Sequence, residues 1–251
     1  MIVLPSDHYI ENEKIYVDTL NAAVETAEKK RGLVTIGINP VRPETGYGYI
    51  EMGEPLNAAL PTYKVSRFTE KPNLEVAKDF ILKGTYLWNS GMFVWRADTF
   101  LREMEKYLPK LYKIMMSIYQ SLDTETEKQV IEEEYKLIDG ISVDFGIMQK
   151  TRKAYVIKSE LKWDDIGTFD ALARFLGRYR GNNVSGTAFM DSSENCCVFG
   201  EGGRLIIGFG IKDLIVVDTK DVLLIMDKNK DQELKHLVNM LKDEEDMKPY
   251  L

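Results

Sequence analysis

MIVLPSDHYI (residues 1–10) and RGLVTIGINP (residues 31–40) each carry a short apolar run that ends in turn-forming residues. Ile2-Val3-Leu4 stops at Pro5-Ser6-Asp7-His8, and Leu33-Val34-Thr35-Ile36-Gly37-Ile38 stops at Asn39-Pro40. The first reads as a buried strand and the second as the next strand. Between them, Val17, Leu20, Val24 and Ala27 recur at helical spacing, so residues 11–30 read as a helix closed by Arg31-Gly32. Strand, helix, strand is the signature of a parallel sheet. In open α/β sheets ligands collect beyond the carboxyl ends of the strands, which is where Asp7 and His8 fall.

The same reading extends along the chain. Residues 40–53 form a loop rich in Gly and Pro that leads into a strand at 49–51, and a further strand spans 63–68. Residues 74–83 read as a helix ending at Gly84, and 86–96 as a strand. Residues 97–137 are mostly helical, broken at Pro109 and at Asp123-Thr124. A short helix over 142–150, a strand over 154–158 and a helix over 168–176 follow. Near Arg180 the texture changes to short β-like runs (197–199, 204–208, 214–217, 222–226) punctuated by Gly, Asp and Asn. Residues 231–241 close as a helix with Leu234, Leu237, Val238 and Leu241 on one face. The expectation is an α/β domain over 1–180 and a small β module with a terminal helix over 181–251.

Composition narrows the function. A chain of 251 residues, 44% hydrophobic and 29% charged, is expected to fold as a globular protein. It has no apolar run long enough for a membrane span and no signal-peptide pattern. Net charge is −7, which argues against a nucleic-acid partner, since that needs a basic surface. Cys196 and Cys197 are the only cysteines, too few for a disulfide framework or a structural zinc site, so a reducing cytoplasm fits best.

Several stretches could carry chemistry, each with a plainer reading beside it. Asp7 is either a turn or helix-cap acid or a magnesium ligand, because Mg²⁺ takes one or two carboxylates plus phosphate oxygens and water. Asp164 and Asp165 in Trp163-Asp164-Asp165-Ile166-Gly167-Thr168 either cap the next helix or supply a second carboxylate to the metal held by Asp7. Thr45-Gly46-Tyr47-Gly48-Tyr49-Ile50 lacks the third glycine of a dinucleotide fingerprint and precedes a strand. It is a plain turn or a loop whose backbone approaches a ligand. Glu70-Lys71-Pro72 is a solvated ion pair, or an acid for sugar hydroxyls beside a cation for phosphate. Pro72 is expected to push Lys71 to an extended conformation. Asn89, inside a strongly apolar strand, needs a partner, either backbone or a ligand hydroxyl. Asp144 heads a short helix, where it or Ser142 would cap. His8 has no visible nucleophile to serve as base.

Taken in order, Leu4-Pro5-Ser6-Asp7-His8, Arg42-Pro43-Glu44-Thr45-Gly46-Tyr47-Gly48-Tyr49-Ile50, Phe68-Thr69-Glu70-Lys71-Pro72, Trp88-Asn89-Ser90-Gly91-Met92-Phe93, Ile141-Ser142-Val143-Asp144 and Trp163-Asp164-Asp165-Ile166-Gly167 resemble the mannose-1-phosphate guanylyltransferases. These GTP-dependent enzymes make GDP-mannose. The resemblance spans roughly residues 2–176, and the tail to about 241 is similar to the family's C-terminal β module. It implies a Rossmann-like mixed sheet of the nucleotide-diphospho-sugar transferase type. It implies Asp7 and Asp165 as magnesium ligands, Glu70, Asn89 and the Gly48 backbone as sugar contacts, Lys71 as the sugar-phosphate contact, and Asp144 in the motif lining that pocket. The implied catalytic set is Lys71, Asp7 and Asp165.

The reaction implied is attack by the phosphate of mannose 1-phosphate on the α-phosphorus of GTP, releasing pyrophosphate. By the same resemblance a glycine-rich phosphate loop, G-G-x-G-x-R, is expected ahead of the first strand. None occurs in this sequence. The expectation is therefore of an N-terminally truncated family member with the sugar-phosphate half-site, no measurable activity alone, and a first strand left at an edge. The β tail and terminal helix would be the surface for a homodimer. Two other readings stay open: a non-catalytic sugar-phosphate-binding or regulatory protein, and a nucleotidyltransferase for another hexose 1-phosphate.

Overall fold

The computed structural model describes residues 1–250 and divides into two compact units, Met1–Trp163 and Asp164–Leu251. In the first, strands β1 (Ile2–Val3), β2 (Tyr9–Ile10), β3 (Leu33–Ile38), β4 (Tyr49–Leu56), β5 (Thr62–Thr69), β6 (Tyr86–Val94) and β7 (Ala154–Ser159) alternate with helices α1 (Glu13–Lys30), α2 (Leu74–Lys83), α3 (Ala97–Tyr107), α4 (Pro109–Ser121) and α5 (Glu127–Tyr135). The main sheet runs β1-β6-β3-β7-β5-β4, with β4 also pairing β6. Among the described residues of this sheet β3–β7 is parallel and the other pairings are antiparallel, so the sheet is mixed.

The run LVTIGI forms the strand read from the sequence, and it is central, with all six residues of β3 buried. On one face Val34 packs with Ala22, Ala23 and Ala27 of α1, small side chains that let the helix lie close to the sheet. Ile36 and Ile38 join Tyr49, Phe80 of α2 and Trp88. On the opposite face Leu33, Leu87, Phe93 and Val156 meet Met104 of α3, Trp95 and Ile147. Asn12 caps α1, Asn73 caps α2, and Gly84 ends α2 in the left-handed conformation.

The first strand corrects the reading of Ile2-Val3-Leu4 as buried and takes the edge position that the resemblance implied. β1 pairs with β6 at the sheet margin, and Ile2 and Val3 are 44% and 39% exposed. An apolar triplet alone does not distinguish an edge from a centre, since that depends on neighbours distant in sequence. β1 and β3 run in the same direction, but β6 lies between them.

The second unit begins with β8 (Trp163–Asp164) at the boundary and α6 (Phe169–Ala173). It continues through β9 (Arg178–Tyr179), β10 (Asn182–Ser185), β11 (Ala188–Asp191), β12 (Cys197–Gly200), β13 (Ile206–Phe209), β14 (Leu214–Asp218), β15 (Leu223–Asp227) and α7 (Leu234–Lys242). Parallel rungs stack in register: Val184 beside Val198 beside Val216, and Asn183 beside Cys197 beside Ile215. Strands β11 and β13 form a second parallel ladder, and Met190, Cys196, Val198 and Val216 pack with Ile206. Stacked parallel rungs joined by short turns are the construction of a β-solenoid.

The division between units falls ahead of the composition change near Arg180. Asp231 accepts hydrogen bonds from the Phe169 and Asp170 amides at 3.3 and 2.7 Å, and Ala173 packs with Cys197, Phe199 and Ile215. These bonds tie α6 to the solenoid. Strands β9, β10 and β11 escaped the sequence reading because polar Asn182-Asn183 looks like a loop. Asn182 is wholly buried, and its amide donates to Arg180 O at 3.0 Å and Ser193 O at 2.9 Å and accepts from Cys196 N at 3.0 Å. Asn182→Ala orphans all three backbone groups. The expected cost is about 2–3 kcal/mol of unfolding free energy in urea titrations; a change under about 0.5 kcal/mol, the range of neutral surface substitutions, would show the corner to be dispensable.

Candidate functional site

The site is built around an interruption in the β3–β6 ladder. Thr35 faces Phe93 and Gly37 faces Asn89, so β6 carries extra residues, Ser90-Gly91-Met92, in a bulge. Gly91 takes φ +72°, a conformation that disfavours other residues. Ser90 Oγ donates to Ile36 O at 2.7 Å and accepts from Met92 N at 3.3 Å, which stitches the bulge to the sheet.

Asn89 emerges from this bulge. Its Nδ2 donates to Asp144 Oδ1 at 3.0 Å, and its Oδ1 accepts from Thr35 Oγ1 at 2.9 Å and Gly91 N at 3.3 Å. Asn89 N donates to the carbonyl of Gly48 at 2.7 Å. A side chain on Gly48 would fall on Glu70 Oε2 and 3.2 Å from Asn89 Cβ. Glycine there lets the Glu70 carboxylate and Asn89 lie close against the buried backbone.

Asp144 opens a π-helical turn, Asp144–Met148, a form enriched at functional sites. Its carboxylate receives Asn89 and does not act as a simple helix cap; Ser142 Oγ accepts the Phe145 amide at a long 3.5 Å. Burial, the largest cause, pushes the Asp144 carboxyl above its ordinary range, against hydrogen bonding from Asn89 and the charge of Lys71. Burial first, and the Asp144 charge second, push Glu70 up to about 7, opposed by Lys71. Glu70 Oε2 is buried and has no hydrogen-bond partner, and Thr69 Oγ1 is in the same condition.

Lys71 corrects the expectation of an extended residue before Pro72. It takes φ +45°, a left-handed conformation, at the exit of β5. Such strain persists where the surroundings impose it. Lys71 Nζ lies 3.9 Å from Glu70 Oε1 and its side chain is 62% exposed, so the ammonium is open to an anion.

The other expected acids do not cap helices. The α1 cap is Asn12, which leaves Asp7 as an exposed carboxylate in the turn after β1. In the second unit Thr168 caps α6. Asp164 accepts from Ile166 N at 3.1 Å and pairs with Arg174 at 2.7 Å. Asp165 accepts from Gly167 N at 3.0 Å. Among the described residues no cluster of three or more His, Cys, Asp or Glu could hold a metal. His8 accepts from Trp163 Nε1 through Nδ1 at 3.0 Å. No described helix is long and apolar enough to cross a membrane.

One residue of the site escaped the sequence reading. Thr35 appeared only as part of an apolar strand. The structure shows its hydroxyl wholly buried, where such a group requires a partner; the only trace in the sequence is one hydroxyl within an apolar run.

Residues 1–180 match the Nucleotidyl transferase family, and residues 189–241 match the MannoseP isomerase/GMP-like beta-helix domain. A mannose-1-phosphate guanylyltransferase of Klebsiella pneumoniae is 36% identical over 245 residues, covering 96% of this chain and 52% of the relative. One from Escherichia coli K12 is 37% identical over 247 residues, covering 96% and 51%. A solved structure from Thermus thermophilus, described as a mannose-1-phosphate geranyltransferase, superposes with a TM-score of 0.79 at 29% identity, covering 96% of this chain and 69% of that one. The chain spans about half the length of the curated relatives it matches.

Glu70 makes stability depend on pH. Its native pKa lies near 7, above the ordinary 4.5, so the native state binds the extra proton between those values. The cost of ionising it is absent below about pH 4, grows through the interval and is complete above 7. It amounts to about 2–3 kcal/mol at most once partial solvent screening is allowed for. Glu70→Gln is therefore expected to raise the urea midpoint relative to wild type at pH 8 and to leave it nearly unchanged at pH 4. An equal gain at both values would show that burial of the charge is not the cause.

Proposed function

The chain belongs to the nucleotidyl transferase family, and on that premise we propose that the pocket of Gly48, Glu70, Lys71, Asn89 and Asp144 binds mannose 1-phosphate for transfer of a guanylyl group from GTP. The observation that carries this reading is the pairing of an unsatisfied buried acceptor, Glu70 Oε2, with an exposed cation, Lys71 Nζ, one residue away. A sugar phosphate brings hydroxyl donors and a dianion. Glu70 accepts from sugar hydroxyls, Asn89 and the Gly48 backbone orient the ring, and Lys71 holds the phosphate. The closeness of Asp144 keeps the pocket rich in acceptors and deters a second anion from the sugar end.

In this reading a phosphate oxygen of mannose 1-phosphate attacks the α-phosphorus of GTP, and GDP-mannose and pyrophosphate leave. The chemistry needs no protein nucleophile, and the contribution of the side chains is placement and charge. The exposed carboxylate of Asp7 in the first unit, and Asp165 in the second, are each suited to magnesium, which takes few protein carboxylates and completes its shell with phosphates and water. When bound, magnesium would draw charge from the reacting phosphates. Cys196 and Cys197 are free and buried, which supports a reducing cytoplasm as the setting.

Calorimetric titration with mannose 1-phosphate tests the reading. Saturable binding is expected, weakened at least about tenfold in Lys71→Ala, the loss appropriate to one charge-assisted contact. Glucose 1-phosphate is expected to compete poorly. A folded chain that gives no heat with either sugar would contradict the assignment, and tighter binding of glucose 1-phosphate would reassign the sugar.

A further inference from the structure

Asn89 is the one neutral side chain in the pocket that both donates and accepts, so its orientation decides what the ligand meets. The carboxamide is nearly symmetric in shape, and sterics alone do not choose between its two ends. Gly91 N can only donate, which fixes the end beside it as oxygen, and the far end, Nδ2, then faces Asp144. The Gly91 bond is long, at 3.3 Å. The shorter bond to that oxygen, 2.9 Å, comes from Thr35 on the neighbouring strand.

We infer that Thr35 is a positioning residue of this site: its buried hydroxyl anchors Asn89 Oδ1 across the bulge and holds the Asn89 amide aimed at Asp144 and the bound sugar. The assignment of a sugar ligand rests on the function proposed above; the anchoring does not. Thr35 is wholly buried and 3.1 Å from Met92 O as well, so its single proton lies between two acceptors on the bulged strand. β3 is buried on both faces and rigidly paired with β7, which makes it a firm platform. Without the hydroxyl, Asn89 Oδ1 keeps only the long Gly91 bond and Met92 O loses a donor. The amide, left with that bond and the Asp144 contact, is then held less firmly about its terminal torsion, which has no sharp preferred value of its own. The Asn89–Asp144 bond would be weakened, and the ligand would meet a less firmly preset donor–acceptor pair. Thr35 itself touches no ligand in this account.

Thr35→Val removes the hydroxyl at nearly constant volume, and Thr35→Ser restores it without the methyl group. Two readouts separate positioning from bulk stability. Exchange of the Asn89 side-chain amide protons, identified by ¹⁵N spectra against Asn89→Asp, is expected to speed up about tenfold in T35V and to return toward wild type in T35S, in line with one lost hydrogen bond. Mannose 1-phosphate affinity is expected to fall by a similar factor in T35V and to recover in T35S, although serine is the smaller, less well-packed residue. Should T35V not fold, as judged by circular dichroism, Thr35→Ala, which removes the donor and is compared with Thr35→Ser so that both lack the methyl group, takes its place with the same expectations. Wild-type exchange and wild-type affinity in the folded variant would overturn the inference, as would losses in T35S equal to those in T35V. A wild-type chain that fails to bind mannose 1-phosphate would overturn the ligand assignment alone, and the exchange comparison would still decide the role of Thr35.

Discussion

A polar amide placed inside a strongly buried strand is the constraint on which this structure turns. Asn89 sits in β6 among Leu87, Trp88, Met92 and Phe93, where an unpaired amide would be strongly destabilising. The chain meets that cost by breaking its own ladder. The Ser90-Gly91-Met92 bulge brings Gly91 N to one side of the amide, β3 brings Thr35, and the π-turn brings Asp144. The irregularity that interrupts the sheet is thus held by the same bonds that satisfy the buried group. Fold and site are not separable at this point.

The carboxylates around it carry a different tension. Glu70 and Asp144 are both buried enough to resist ionisation, and the Asp144 charge raises the cost for Glu70 further. Lys71 offsets part of that cost from a strained backbone position while keeping its ammonium largely in water. A core designed for stability alone would not contain this arrangement. It is intelligible if hydroxyl donors from a ligand complete the hydrogen bonding of Glu70 Oε2, which the protein leaves unmet.

Much of this was legible in the chain. The apolar run of residues 33–38 announced a strand, and the capping and breaking residues around 74–84 and 97–137 set helix limits within a few residues. Asn89 stood out because polarity inside an apolar strand demands a partner. What the sequence hid were relations between distant segments. Nothing local distinguishes Ile2-Val3 at an edge from the same residues at a centre. The left-handed turn at Lys71 overrides the local preference imposed by Pro72. The cap of α1 is Asn12 and that of α6 is Thr168, not the more conspicuous Asp7 or the Asp164-Asp165 pair. The solenoid rungs before residue 196 were masked by buried asparagine that serves as a corner strut. Thr35 was hidden by its own neighbours, since one hydroxyl in six residues barely alters an apolar pattern.

The central claim is that Asn89, Glu70 and Lys71 form one recognition surface for a sugar phosphate. A crystal structure of the chain soaked with mannose 1-phosphate tests it most directly. The account predicts density with the phosphate against Lys71 Nζ and ring hydroxyls within hydrogen-bond reach of Glu70 Oε2 and the Asn89 amide, the latter still anchored to Thr35. Density for the sugar elsewhere on a folded chain, with this pocket holding only water, would contradict it.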